Sequence, residues 1–105
     1  LTGASSGIGE ALAIALAKKG AILGLLARRE DLLKELAQKC DSAGGQARVF
    51  ACDVTDELRL NDAVEALKNE FGRIDILICN AGVGGPKHAK HLTSADVRKI
   101  MEINF

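Results

Sequence analysis

The stretch Leu1-Thr2-Gly3-Ala4-Ser5-Ser6-Gly7-Ile8-Gly9 sets the strongest limit on how this chain can fold. Gly3, Gly7 and Gly9 stand where an extended segment hands over to a helix. A helical run to Lys19 and an apolar run over residues 21–27 follow. A glycine-rich turn between strand and helix lets backbone N–H groups approach an anion with no Cβ in the way. The helix behind it aims the positive end of its dipole at the same point. The spacing Gly-x-x-x-Gly-x-Gly is not the fingerprint Gly-x-Gly-x-x-Gly. It fits a slightly wider turn, in which Ser5 and Ser6 offer hydroxyls to a phosphate.

The rest of the chain alternates in the same way. Residues 6–19 place Ile8, Ala11, Leu12, Ala15 and Leu16 on one helical face, and Gly20 ends the helix. Residues 21–27 form a short apolar run, as expected of a parallel strand buried on both faces. Glu30 and Asp31 open the next helix, whose face is Leu32, Leu33, Leu36 and Cys40; Gly44 and Gly45 break it. Residues 47–52 read as a second strand. Thr55 is the expected cap of a helix that buries Leu60, Ala63, Val64, Leu67 and Phe71, and Gly72 stops it. Residues 74–79 read as a third strand and residues 80–91 as a loop containing Pro86. Thr93 with Asp96 three residues on marks the start of a last helix. This order predicts one α/β domain over residues 1–105, a Rossmann-type doubly wound parallel sheet with helices on both faces. Leu1 alone represents a strand ahead of the turn, and no stop signal follows Phe105. The sheet is therefore expected to be incomplete at both ends, as in a piece of a longer protein.

Composition excludes some partners. Fourteen basic and 14 acidic residues cancel, so no general field draws nucleic acid or membrane. No apolar run is long enough to span a bilayer. Cys40, Cys52 and Cys79 are odd in number and fit no zinc spacing, and read as reduced thiols of a cytoplasmic protein. With three Phe and neither Trp nor Tyr, a stacking platform for single strands is disfavoured. His88 and His91 have the spacing of a metal-ligand pair but no convincing third ligand, so no metal is assigned.

Ligands in such sheets sit outside the carboxyl ends of the strands. Residues 2–9, 28–29, 53–55 and 80–85 all follow strand ends and are expected to converge. An NAD site needs an acid about 20 residues beyond the turn, to accept from the ribose 2′-OH. Ala27-Arg28-Arg29 fills that place. Two guanidinium groups there suit a 2′-phosphate and hence NADP. The rivals are a solvated arginine pair, or Glu30 in the ribose role. Asp53 can accept from an adenine amino group or serve as a turn residue. Ala81 and Gly82 allow close approach to a sugar, and Asn80 can tie neighbouring strands.

Taken together, Thr2-Gly3-Ala4-Ser5-Ser6-Gly7-Ile8-Gly9, Ala27-Arg28-Arg29, Asp53-Val54-Thr55, Asn80-Ala81-Gly82 and Asn104 in Glu-Ile-Asn-Phe resemble the short-chain dehydrogenase/reductase family over the whole chain. The resemblance implies that Gly3, Ser5, Ser6, Gly7, Ile8 and Gly9 bind the pyrophosphate and adenosine ribose of NADP. It implies that Arg28 reads the 2′-phosphate with Arg29 assisting, and that Asp53 and Val54 flank the adenine. Asn80 would stabilise the sheet, while Ala81 and Gly82 pass near the nicotinamide-side ribose. Asn104 matches the family's catalytic-helix asparagine, which holds a water in a proton relay. Cys79 departs from the pattern, since an Asn usually precedes Asn-Ala-Gly. The family's chemistry rests on a Ser and a Tyr-x-x-x-Lys pair further along, and this chain has no Tyr. The expectation is the cofactor-binding half of a homo-oligomeric oxidoreductase acting on a small carbonyl or alcohol, inactive by itself. The alternative is a non-catalytic nucleotide-binding or regulatory relative. A sugar-nucleotide epimerase relative is disfavoured by Gly-x-x-x-Gly-x-Gly with Asn-Ala-Gly.

Overall fold

The structure is a computed structural model describing residues 1–85 and 88–105; Pro86, in the expected loop, lies outside them. In chain order the elements are α1 (Gly7–Ala17), β1 (Ile22–Ala27), α2 (Glu30–Ser42), β2 (Gln46–Ala51), α3 (Glu57–Phe71), a 3-10 turn (Ala89–His91) and α4 (Ser94–Asn104). β1 and β2 pair in parallel, from Ile22 opposite Gln46 to Ala27 opposite Ala51.

Alternation along β1 divides the core between the two faces. Leu23, Leu25 and Ala27 pack with Ala47 against Ala13 and Ala17 of α1 and Leu33, Leu36 and Cys40 of α2. Leu26, on the opposite face, packs with Cys52 against Ala63 of α3. Leu67 of α3 closes over Gly24, where the strand has no side chain to hold it off. Helices therefore cover both faces, as the alternating pattern predicts. Leu33 and Leu36 are essentially inaccessible, and each such side chain contributes about 1.5–3 kcal/mol by leaving water. Arg48 ties β2 to α3. Its Nε donates to both Glu70 carboxylate oxygens (2.8 and 3.0 Å), and its guanidinium carbon lies 5.3 Å from the Phe71 ring centroid.

Three expectations are corrected. The buried stripe of α1 is Gly9, Ala13 and Ala17, while Ile8 is 79% exposed. Apart from Glu10 the helix is apolar all round, so periodicity could not choose a face; the smallest residues are the buried ones. The cap of α3 is Asp56, whose side chain accepts from the Arg59 N–H at 3.1 Å. Thr55 instead bonds back to Asp53. Residues 74–79 form no strand. Their neighbour is Leu1-Thr2, which supplies a single backbone bond, from the Thr2 N–H to the Ile78 carbonyl (3.0 Å). On its other side Thr2 makes an isolated parallel bridge to Leu26. With no ladder to join, Ile76 and Leu77 stand 76% and 71% exposed. The last helix follows the sequence closely: Thr93 and Asp96 form a complete capping box.

Candidate functional site

The carboxyl ends of β1 and β2, the turn into α1 and residues 80–83 enclose a cavity of about 370 Å³. The turn owes its shape to what lies behind it. Gly3 has φ +64°, and a Cβ there would come within 2.8 Å of the Ala81 Cα. A Cβ on Gly9 would collide with the Gly3 carbonyl oxygen. The Asn80 side-chain amide donates to the Thr2 and Gly3 carbonyls (3.3 and 3.2 Å). The Thr2 hydroxyl oxygen in turn accepts the N–H groups of Asn80 and Ala81 (3.1 and 3.0 Å). Turn and third segment are thus stapled together by two side chains.

Gly3, Ser5, Ser6 and Ile8 line the cavity; Gly7 and Gly9 support the turn without lining it. Ser6 occupies the N-cap of α1 in extended conformation, yet its side chain makes no cap bond. The first-turn N–H groups are left without that acceptor, which suits an external anion. Across the cavity stand Ala27, Arg28 and Arg29. Glu30, the rival for the ribose, pairs instead with Lys34 at 2.7 Å and does not line the cavity.

At the end of β2, Cys52, Asp53 and Val54 complete the wall. Asp53 Oδ1 accepts from the Thr55 N–H (3.0 Å) and hydroxyl (2.8 Å). These bonds, with a smaller pull from Arg28, hold its carboxyl below the usual range. Asp53 therefore holds the turn through Thr55 and at the same time lines the cavity with a charged side chain. Burial pushes the Cys52 thiol up, with the Asp56 and Asp53 charges adding.

Asn80, Ala81, Gly82 and Val83 close the far side. Asn104 does not line the cavity. Its Oδ1 accepts the Val83 N–H (2.8 Å) and its Nδ2 donates to the Val83 carbonyl (3.0 Å). Both ends of the amide thus pin Val83 to α4, and the neighbouring Ile103 lines the cavity. Asn104→Ala is expected to free Val83 from α4 and lower stability by about 1–3 kcal/mol, the worth of two hydrogen bonds. Thermal unfolding of the two proteins side by side checks this; an unchanged midpoint shows that the clamp contributes nothing.

Cys52 and Ile103 line the cavity without having been singled out in the sequence, and Val83 was marked only as part of residues 80–85. Cys52 was legible in principle, as the last residue of an apolar run ahead of Asp53; Val83 and Ile103 carry no chemistry to mark them. The donor set as a whole comprises two hydroxyls, an uncapped helix N-terminus and two guanidinium groups. It fits a phosphorylated nucleotide.

The family model of the short chain dehydrogenases matches residues 1–105. The chain belongs to that family. It is 40% identical over 105 residues to D-threitol dehydrogenase of Mycolicibacterium smegmatis, covering 100% of this chain and 40% of that one. NAD+-bound xylitol dehydrogenase superposes with a TM-score of 0.90 at 34% identity, covering 98% of this chain and 40% of that one. L-sorbose reductase from Gluconobacter frateurii, complexed with NADPH and L-sorbose, superposes with a TM-score of 0.88 at 35% identity, with 98% and 40% coverage. The chain thus spans about 40% of the length of these relatives. The short-chain dehydrogenase relatives share its open α/β sheet. Among the described residues no helix is long and apolar enough to cross a membrane.

Proposed function

We propose that this chain is the cofactor-binding portion of a longer NADP-dependent oxidoreductase, which moves a hydride between the nicotinamide and a carbonyl or secondary alcohol. The observation that carries the reading is the cavity wall at the end of β1. Ala27 stands there with Arg28 and Arg29, where an NAD site needs an acid. Loss of that acid removes repulsion against a 2′-phosphate, and guanidinium groups bind the dianion with charge-assisted bonds. The named neighbours include one NAD+ complex and one NADPH complex, so the preference rests on the two arginines.

In this reading Ser5, Ser6 and the N-terminus of α1 hold the pyrophosphate, with Gly3, Gly7 and Gly9 giving the turn its close approach. Arg28 and Arg29 hold the 2′-phosphate. Asp53 and Val54 flank the adenine, while Asn80, Ala81 and Gly82 border the nicotinamide-side ribose. Ile8 lends an apolar surface to the cavity, and Asn104 positions the loop that closes it. The bound cofactor supplies or takes up the hydride. The proton at the substrate oxygen needs a donor and acceptor that this chain, without a Tyr, does not offer. That role falls to the Ser and Tyr-x-x-x-Lys of the family's pattern, outside these residues. The substrate is a small molecule, the full-length protein a cytoplasmic homo-oligomer, and the isolated chain inactive.

The test is a fluorescence titration of the full-length protein with NADPH and with NADH. NADPH is expected to bind at least about tenfold tighter, the worth of one charge-assisted bond. Equal affinities, or a preference for NADH, overturn the reading.

A further inference from the structure

The cavity wall that carries two arginines also carries one opposing charge. Asp53 is the one carboxylate among the described residues that line the cavity. We infer that Asp53 is a specificity-determining residue: its fixed negative charge weakens the discrimination between a 2′-phosphate and a 2′-hydroxyl that Arg28 and Arg29 create. This inference rests on the proposed 2′-phosphate reading and adds to its two arginines a third residue, of opposite sign.

The fold puts the charges together. β1 and β2 are neighbours in register, with Ala27 opposite Ala51, and the Cys52 N–H donates to the Ala27 carbonyl at 3.0 Å. Arg28 and Asp53 therefore leave adjacent strand ends, whose lateral spacing is about 4.8 Å. Both border the same cavity. The carboxylate cannot swing away, because Thr55 binds Oδ1 twice. Its Oδ1 is held by the Thr55 N–H and hydroxyl rather than by Arg28. Asp53 remains ionised at neutral pH, since those two bonds favour the charged form. A dianion held by the arginines is attracted by them and repelled by a carboxylate that borders the same cavity. A ribose hydroxyl feels almost none of the repulsion.

Two simple probes isolate the effect. 2′,5′-ADP and 5′-AMP share the adenine, the ribose and the 5′-phosphate, and differ in the 2′-phosphate. The ratio of their affinities cancels any contact between Asp53 and the base. Calorimetric titration of the full-length protein and of Asp53→Asn measures that ratio. The Asn keeps an oxygen acceptor for Thr55, so the turn survives, and thermal unfolding of each variant checks the fold. Asp53→Ser, which also keeps an acceptor, serves as the second variant.

The ratio of 2′,5′-ADP to 5′-AMP affinity is expected to rise about three- to tenfold on removing the charge, and the rise is expected to shrink in high salt. A ratio that stays the same or falls in both variants overturns the inference. Arg28→Ala, measured in parallel, separates this from failure of the underlying reading. If the wild-type ratio survives loss of Arg28, the 2′-phosphate assignment itself is lost and Asp53 falls with it. If Arg28→Ala lowers the ratio while the Asp53 variants leave it unchanged, the assignment stands and the role of Asp53 alone is refuted.

Discussion

Gly9→Val in the full-length protein is expected to abolish nucleotide binding. The position has no room for even one carbon. A Cβ would strike the Gly3 carbonyl oxygen and come within 2.7 Å of the Asn80 side-chain nitrogen. The first is backbone and cannot rotate away. Relief requires α1 to retreat from the turn or Gly3 to leave its φ of +64°, and either movement breaks the Asn80 staple. Overpacking of this kind costs about 3 kcal/mol, which corresponds to about 100-fold in affinity if the strain falls on the binding-competent turn. A titration with NADPH, with thermal unfolding of the same variant beside it, distinguishes a lost site from a lost fold. A folded variant that binds normally shows that the turn is purely structural.

Arg28→Ala is the second large effect. In the proposed reading one or two charge-assisted hydrogen bonds of about 1.5–3 kcal/mol each hold the 2′-phosphate, so NADP is expected to weaken by about 10- to 100-fold or more. NAD has no phosphate to lose and is expected to change little. Arg29 begins α2 as its N-cap and makes no side-chain cap bond, so it remains to provide part of the charge. Parallel titrations with both cofactors check this; equal losses refute the assignment.

What the sequence made legible follows from how local each determinant is. Leu33, Leu36 and Cys40 recur at helical spacing among charged residues, and they are the buried face of α2. Thr93 and Asp96 carry their capping geometry within four residues. Gly72 ends α3 in the left-handed conformation that favours glycine, at φ +83°. By contrast, the orientation of α1 depends on which side its neighbours approach, and an alanine-rich helix gives no contrast to decide it. Residues 74–79 have strand composition, but a ladder needs a partner, and Leu1-Thr2 reaches only as far as Ile78. In the site, polar and glycine motifs stood out because their chemistry is unusual. Ile103 and Val83 did not, because an apolar wall residue looks like any other core residue until the fold brings it to a cavity.

The bond from the Asn80 N–H to the Thr2 hydroxyl oxygen joins positions 78 apart in the chain. Closing a flexible loop of that length costs about 4 kcal/mol of chain entropy. The glycine turn is synthesised before the segment that fixes its final shape, which follows 78 positions later. Contacts of such long range slow folding, so the nascent turn passes through synthesis without its backstop. A nucleotide that grips only the finished turn stabilises the closed loop in proportion to the logarithm of its concentration over its Kd, about 2.7 kcal/mol at a hundredfold excess. Ligand added during refolding is thereby expected to favour the folded chain, with α1, β1 and α2 assembling through nearby contacts and the stapled turn completing last.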